Sequence, residues 1–279
     1  MTISTGNASS SLLDRAGTTR PVQEVSVAAF FGPLADLVVR LLLPLRIPPA
    51  AMVLVHAWLG LAAAFAIHEG ALLAAAALLQ LKTLLDNADG RLARASGRVS
   101  LLGRYLDTEA DFLVNAALFA ALASATGAPW HALAAFVVLT LVLSVEFNIA
   151  GLYCEARGRA LELPPPSGGP TERALARVYE RVFAPQDRLV RSLSSHRLGR
   201  VLEGETDPER ALAAKLAYYD RATVTVLANL GLSTQLLALG VFLVFEWPVG
   251  YLWLVVTTLG LLPLLQLRRE RLARRALMR

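Results

Sequence analysis

The sequence predicts an all-α polytopic membrane protein, with six transmembrane helices and an N-terminal interfacial amphipathic helix. Composition is the first reason: of 279 residues, 55% are hydrophobic and 18% charged, with mean hydropathy +0.51. Soluble domains carry about 45–50% apolar and about 25% charged residues. The placement of basic residues is the second. The 27 Lys and Arg are absent from 47–81, 105–156 and 222–267, and these blocks are the hydrophobic ones. A net charge of +5 and a pI near 9.8 therefore record residues flanking membrane segments, and nucleic acid is excluded as a partner. The single cysteine, Cys154, excludes a disulfide framework and an all-cysteine metal site.

Residues 1–23, rich in Ser, Thr and Gly up to Arg20, read as a disordered cytoplasmic N-terminus. Residues 24–46 are apolar, yet Asp36 and Arg40 would stand mid-membrane in a span, where charge is costly. Phe30, Leu34, Leu37, Leu41 and Leu45 mark the opposite face, so this segment reads as a helix lying on the membrane. A span needs about 20 apolar residues. Residues 47–156 hold four of them: Ala50 to Ile67, Gly70 through Leu85 and on to Arg94, Leu101 to Thr126, and Pro129 to Tyr153. Residues 157–221 form a cytoplasmic insertion that opens on a Pro/Ser/Gly linker at 164–170 and carries a broken helical period beyond it. Asp207-Pro208 reads as an N-cap and first-turn proline of a helix running on into the fifth span. Residues 222–267 hold spans five and six, and 268–279 form a basic cytoplasmic tail. The linkers after spans one, three and five lack Lys and Arg, so the positive-inside rule places both termini in the cytoplasm.

Chemistry is concentrated where the second span meets the cytoplasm. Asp86 and Asp89 are three apart on one helical face, with Ala93 following; Gly103, Asp107 and Asp111 step by four along the next helix. The short turn Ala95 to Ser100 predicts that the two helices pack as antiparallel neighbours, bringing four carboxylates together. Such a cluster repels itself unless cations neutralise it, and hard divalent ions with oxygen ligands suit it. Two such ions clamp the oxygens of an in-line phosphoryl displacement. No Cys or His is expected in this constellation, which disfavours zinc. Gly90, Ala93 and Gly103 leave room for a ligand to approach helix backbone. Solvated aspartates at helix ends are the ordinary alternative, but Asp111 lies at least two turns inside its span.

The pattern Asp86-x-x-Asp89-Gly90-x-x-Ala93-Arg94, then Gly103-x-x-x-Asp107-x-x-x-Asp111, resembles the signature of the CDP-alcohol phosphotransferase (CDP-alcohol phosphatidyltransferase) family. The resemblance implies a metal-dependent enzyme that transfers a substituted phosphate from a CDP-linked lipid donor to a polar alcohol acceptor, releasing CMP. It implies two magnesium ions, with manganese as the alternative, held by Asp86, Asp89, Asp107 and Asp111. Asp111 is also the implied base toward the acceptor hydroxyl. Gly90, Ala93, Arg94 and Gly103 are the implied CDP-binding residues, and a homodimer is the implied assembly. Relatives often open the first span with Thr-Pro-Asn, where this chain has Pro48-Pro49-Ala50. Relatives with phosphorylated acceptors often place Arg or Lys after the last aspartate, where this chain has Phe112.

Lys82, one turn before Asp86, reads equally as a donor-phosphate contact or as a lysine snorkelling to the interface. Glu146 and Asn148 lie inside the fourth span, where helix–helix hydrogen bonding is favoured over an acceptor pocket. His56, His68, His131 and His196 show no ligand spacing. The leading expectation is transfer from CDP-diacylglycerol in phospholipid biosynthesis, at the cytoplasmic face of a bacterial inner or plasma membrane. The alternatives are transfer from a CDP-aminoalcohol to diacylglycerol, and, lower, ion or metal transport. A transporter is disfavoured because the carboxylates cluster at one face with no matching second half.

Overall fold

The structure, a computed structural model, describes residues 21–159, 164 and 166–278, and among these it is helical with no strand. The Ser/Thr/Gly-rich stretch up to Arg20 and part of the 164–170 linker lie outside the described residues. The elements are α1 (Gly32–Leu42), α2 (Pro49–His68), α3 (Leu72–Ala95), α4 (Leu101–Thr126), α5 (Pro129–Ala156) and α6 (Pro170–Val182). They continue as α7 (Ala184–Val201), α8 (Pro208–Tyr218), α9 (Arg221–Ala228), α10 (Leu232–Val244), α11 (Pro248–Thr258) and α12 (Leu261–Leu277). A π-helical turn, Val27–Phe31, leads into α1, and a 3-10 turn, Leu43–Leu45, follows it.

Turn chemistry sets the ends of the long helices. Gly127, at φ 63°, closes α4 in the left-handed conformation that glycine adopts without penalty. Pro129 then occupies the first turn of α5, where its missing N–H costs nothing. Ser100 caps α4, its Oγ accepting from Gly103 N at 3.1 Å. The transmembrane core is formed by α2, α3, α4, α5, α10 and α11, around Ile67, Leu79, Leu118, Leu122, Leu139 and Leu243. Small residues let α2 press close to α4: a Cβ added at Gly60 would overlap the Val114 side chain.

Among the described residues six helices are long and apolar enough to cross a membrane, as expected in number but not in membership. Val27–Leu45 is among them and α3 is not. Lys82, Asp86, Asp89, Arg91 and Arg94 place too much charge on α3 for a lipid-facing helix. Packed against α1, α2 and α10, α3 keeps that charge largely within protein. The described part of the N-terminal segment meets the motif end of the bundle at three points. Its start meets α10, where Val25 N donates to Asn229 Oδ1 at 2.9 Å; its middle meets Arg91, which donates to Asp36 Oδ1 at 2.6 Å. At its far end the Arg46 carbonyl accepts from Arg98, in the turn between α3 and α4. Its Phe30, Leu34, Leu37, Leu41 and Leu45 are exposed, while Phe31, Gly32, Ala35 and Val39 are buried.

Three expectations need correction. The helices α3 and α4 are not packed neighbours: α2 lies against both and fills the space between them. Close packing of two helices that each carry two aspartates on the facing side would force like charges together. The helix capped by Asp207, whose carboxylate accepts from Glu209 N, does not run unbroken into the fifth span. It stops at Tyr218, and Asp220 caps a new helix by accepting from Ala222 N and Thr223 N. Finally, the residues read as a basic tail are not separate from the last helix, because α12 continues to Leu277, with Arg269 and Ala273 buried. The Arg269 guanidinium stacks 4.0 Å from the Tyr218 ring and donates to Tyr218 O and Ser194 Oγ.

The insertion is more ordered than its broken period implied. Leu198, Val201, Ala214 and Tyr218 form a second core with Ile149 and Leu152 of α5, Leu227 of α9 and Ala273 of α12. Helix α6 packs on α4, and α7 on α5.

Candidate active site

At the motif end a cavity of about 420 Å³ opens between α3, α4, α5, α10 and the insertion. Asp86, Asp89, Asp107 and Asp111 all line it, so the four aspartates of the sequence pattern converge as expected. Gly90 and Arg94 line it too, whereas Ala93, Gly103 and Lys82 do not. Packing does not demand the motif glycines. A Cβ at Gly90 would meet the flexible Arg94 guanidinium at 3.3 Å, and one at Gly103 only Ser100 Oγ at 3.3 Å.

His56 of α2, wedged between the two motif helices, stands at the centre of the cluster. Its Nε2 lies 3.0 Å from Asp89 Oδ2, 3.6 Å from Asp86 Oδ1 and 3.7 Å from Asp107 Oδ1. The ring is fully buried, and its Nδ1 has no hydrogen-bond partner. Spacing could not reveal this residue, because its partners come from other helices. An ionisable side chain within the basic-free block 47–81 was the available signal.

Lys82 neither snorkels nor points into the open cavity. Fully buried, its Nζ lies 2.5 Å from Asp111 Oδ1 and 3.3 Å from Asp86 Oδ2. Four carboxyl groups here face one lysine and one histidine, so acidic groups outnumber basic ones two to one. Asp107 Oδ1 is buried without a hydrogen-bond partner. Excess negative charge and an unsatisfied hard oxygen fit a divalent cation. One ligand atom from each of His56, Asp86, Asp89 and Asp107 can lie within 4.8 Å of the others.

The opposite wall carries residues to which no role was attached from sequence. Arg104 of α4 lies 5.3 Å over the Phe147 ring and faces the cavity. The insertion contributes Tyr179, Phe183, Gln186 and Asp187. Phe183 packs edge-on against Phe112 with ring centroids 5.3 Å apart, and Tyr179 packs on Tyr105 at 5.4 Å. Asp187 accepts from Asn148 Nδ2 at 2.7 Å, so Asn148 does bond to another helix, as favoured, while Glu146 lines the cavity. Burial and the hydrogen bond to Asp187 push the Tyr179 phenol up to about 12, so it remains a donor at neutral pH.

The sequence profile of the CDP-alcohol phosphatidyltransferase family matches residues 33–180, just over half of the 279. No curated protein and no solved structure matches the chain. The matched region runs from α1 through all four motif aspartates to Tyr179, the first insertion residue on the cavity wall, and the chain belongs to the CDP-alcohol phosphatidyltransferase family.

Proposed function

We propose that this transferase moves a phosphatidyl group from CDP-diacylglycerol to the hydroxyl of a polar alcohol, releasing CMP, in phospholipid synthesis at the cytoplasmic face of a bacterial inner membrane. The observation that carries the reading is the convergence of Asp86, Asp89, Asp107 and Asp111 on one cavity at one end of an apolar bundle. Asp86, Asp89 and Asp107, with Asp111 beside them, would hold two magnesium ions, or manganese. When bound, these ions offset diphosphate charge and stabilise the departing CMP. Gly90 and Arg94 line the same cavity and meet the CDP portion.

The acceptor oxygen bonds to the phosphorus bearing diacylglycerol, the bridging P–O bond to CMP breaks, and the hydroxyl proton passes to Asp111. Lys82, bonded to Asp111, orients that carboxylate. His56 does the same for Asp89. The N-terminal helix rests in the membrane interface, since both its ends meet residues at the motif end. A homodimer is part of the proposal and is checked by the mass of the detergent-solubilised particle.

Purified protein with CDP-diacylglycerol, magnesium and a panel of alcohols should release CMP and form a new phospholipid. Absence of CMP with this donor, and its appearance with a CDP-aminoalcohol and diacylglycerol, would transfer the assignment to the second reaction. Absence with both donors would overturn the enzyme reading.

A further inference from the structure

Asp187 stands in the first turn of α7, within the insertion, and lines the cavity opposite the aspartate cluster. Three neutral donors hold its carboxylate. Oδ1 accepts from Ser144 Oγ at 3.0 Å and Asn148 Nδ2 at 2.7 Å, and Oδ2 accepts from Tyr179 OH at 2.7 Å. None of the three cancels its charge, and no Lys, Arg or His among the described residues forms an ion pair with it. The N-terminus of α7 contributes partial positive charge but no full cation. A carboxylate offers about four lone-pair sites, so one acceptor position is still open.

Aromatic rings stand beside it. Tyr179 and Phe183 lie 5.7 Å apart by centroid, and Phe183 meets Phe112 at 5.3 Å. Aromatic rings beside a carboxylate that has no cationic partner form the chemistry that holds an ammonium group. A phosphorylated alcohol would meet like charge here, and a neutral polyol would leave the charge unanswered. Arg104 of α4 lines the same cavity and its charge is felt at Tyr179, but it forms no ion pair with Asp187.

We infer that Asp187, with the rings of Tyr179 and Phe183, forms the head-group pocket of the acceptor site and selects a small alcohol bearing an ammonium group, an inference that rests on the proposed transfer reaction. The insertion thereby sets the acceptor, while the motif aspartates perform the transfer. A purely structural Asp187 would clasp α7 to α5 and leave no trace in substrate choice.

The test uses full-length protein in lipid nanodiscs with CDP-diacylglycerol and magnesium. Ethanolamine, choline and L-serine are compared with glycerol, myo-inositol and glycerol 3-phosphate by CMP release. The expected result is turnover of an ammonium alcohol in preference to the other three. Asp187→Asn should raise KM for that alcohol about tenfold or more, with KM for CDP-diacylglycerol within about twofold, while Asp187→Glu keeps the preference. Should Asp187→Asn fail to fold, tetramethylammonium on the wild type gives a second measurement. It should compete with the alcohol and not with CDP-diacylglycerol. Preferred turnover of a neutral or phosphorylated alcohol, equal loss for all substrates in a folded Asp187→Asn, or no competition by tetramethylammonium would each overturn the pocket. Absence of CMP with every alcohol and both donor types would overturn the transfer reaction, and the pocket with it.

Discussion

At the level of single side chains, the cluster divides into groups that face the cavity and groups that hold them. Asp111 is contacted by Lys82 at 2.5 Å, and Asp89 by His56 at 3.0 Å. If Asp111 takes the acceptor proton, Asp111→Asn should lower kcat by about a hundredfold or more while CDP-diacylglycerol still binds. A vesicle-pulldown of the labelled donor beside the CMP assay checks both halves. His56→Ala leaves a buried carboxylate without its partner, which costs on the order of 1–3 kcal/mol. The expected outcome is a lower melting temperature in detergent together with a higher magnesium concentration for half-maximal rate. Unchanged magnesium dependence would assign His56 to folding alone. The aspartates were legible because helical spacing places each pair on one face. His56, Arg104 and Asp187 were not, because their meaning depends on neighbours from other helices that no local pattern records.

At the level of elements, the sequence-based boundaries of the long helices agree with the structure where turn residues mark them, at Pro49, Gly127 and Pro129. The break at Gly231 went unread, because the apolar character continues across it while the hydrogen-bond ladder is interrupted. Gly231 has no side chain to cap α10, and Glu24 performs that task from the N-terminal segment. Its Oε2 accepts from Thr234 N at 2.7 Å and Thr234 Oγ1 at 2.8 Å. Glu24→Ala should cost about 0.5–2 kcal/mol, read as a lower melting temperature and faster hydrogen exchange at the start of α10. Glu172 works similarly before α6. Hydrogen bonds from the Ser167 side chain and from the Ser167 and Gly168 N–H groups hold its carboxyl below the usual range. Because the folded-state value is depressed, this contribution is full above the unfolded value and fades as pH falls through the folded one. Proteolysis of the loop before α6 should therefore rise on acidification below about pH 4.5, and Glu172→Gln should abolish that dependence.

For the molecule as a whole, the all-α membrane class was legible from composition, because an apolar bundle exposes to lipid what a soluble protein hides. The exposed Trp58, Phe65, Leu73 and Val137 belong to this outer surface. The architecture of the insertion was not legible, since its helices are polar outside and gain stability by docking on α4 and α5. If the aspartate cluster holds divalent cations as proposed, global stability depends on them as well. Chelation with EDTA should lower the melting temperature and stop CMP release, and excess magnesium should restore both. Recovery of stability without recovery of rate would separate a structural ion from a working one.

The bond between Glu24 and Thr234 joins residues 210 apart in sequence. It cannot form until translation has passed position 234, by which time α2 to α5 have been synthesised. Helices α2, α3 and α4, which carry His56 and the four aspartates, are complete by Thr126. During biogenesis the aspartate-bearing end can therefore assemble early, while the wall made with α10 closes late. A ribosome-stalled chain ending before Leu232 would retain the aspartates yet lack an enclosed reaction chamber, which delays catalysis until insertion of the bundle is nearly finished.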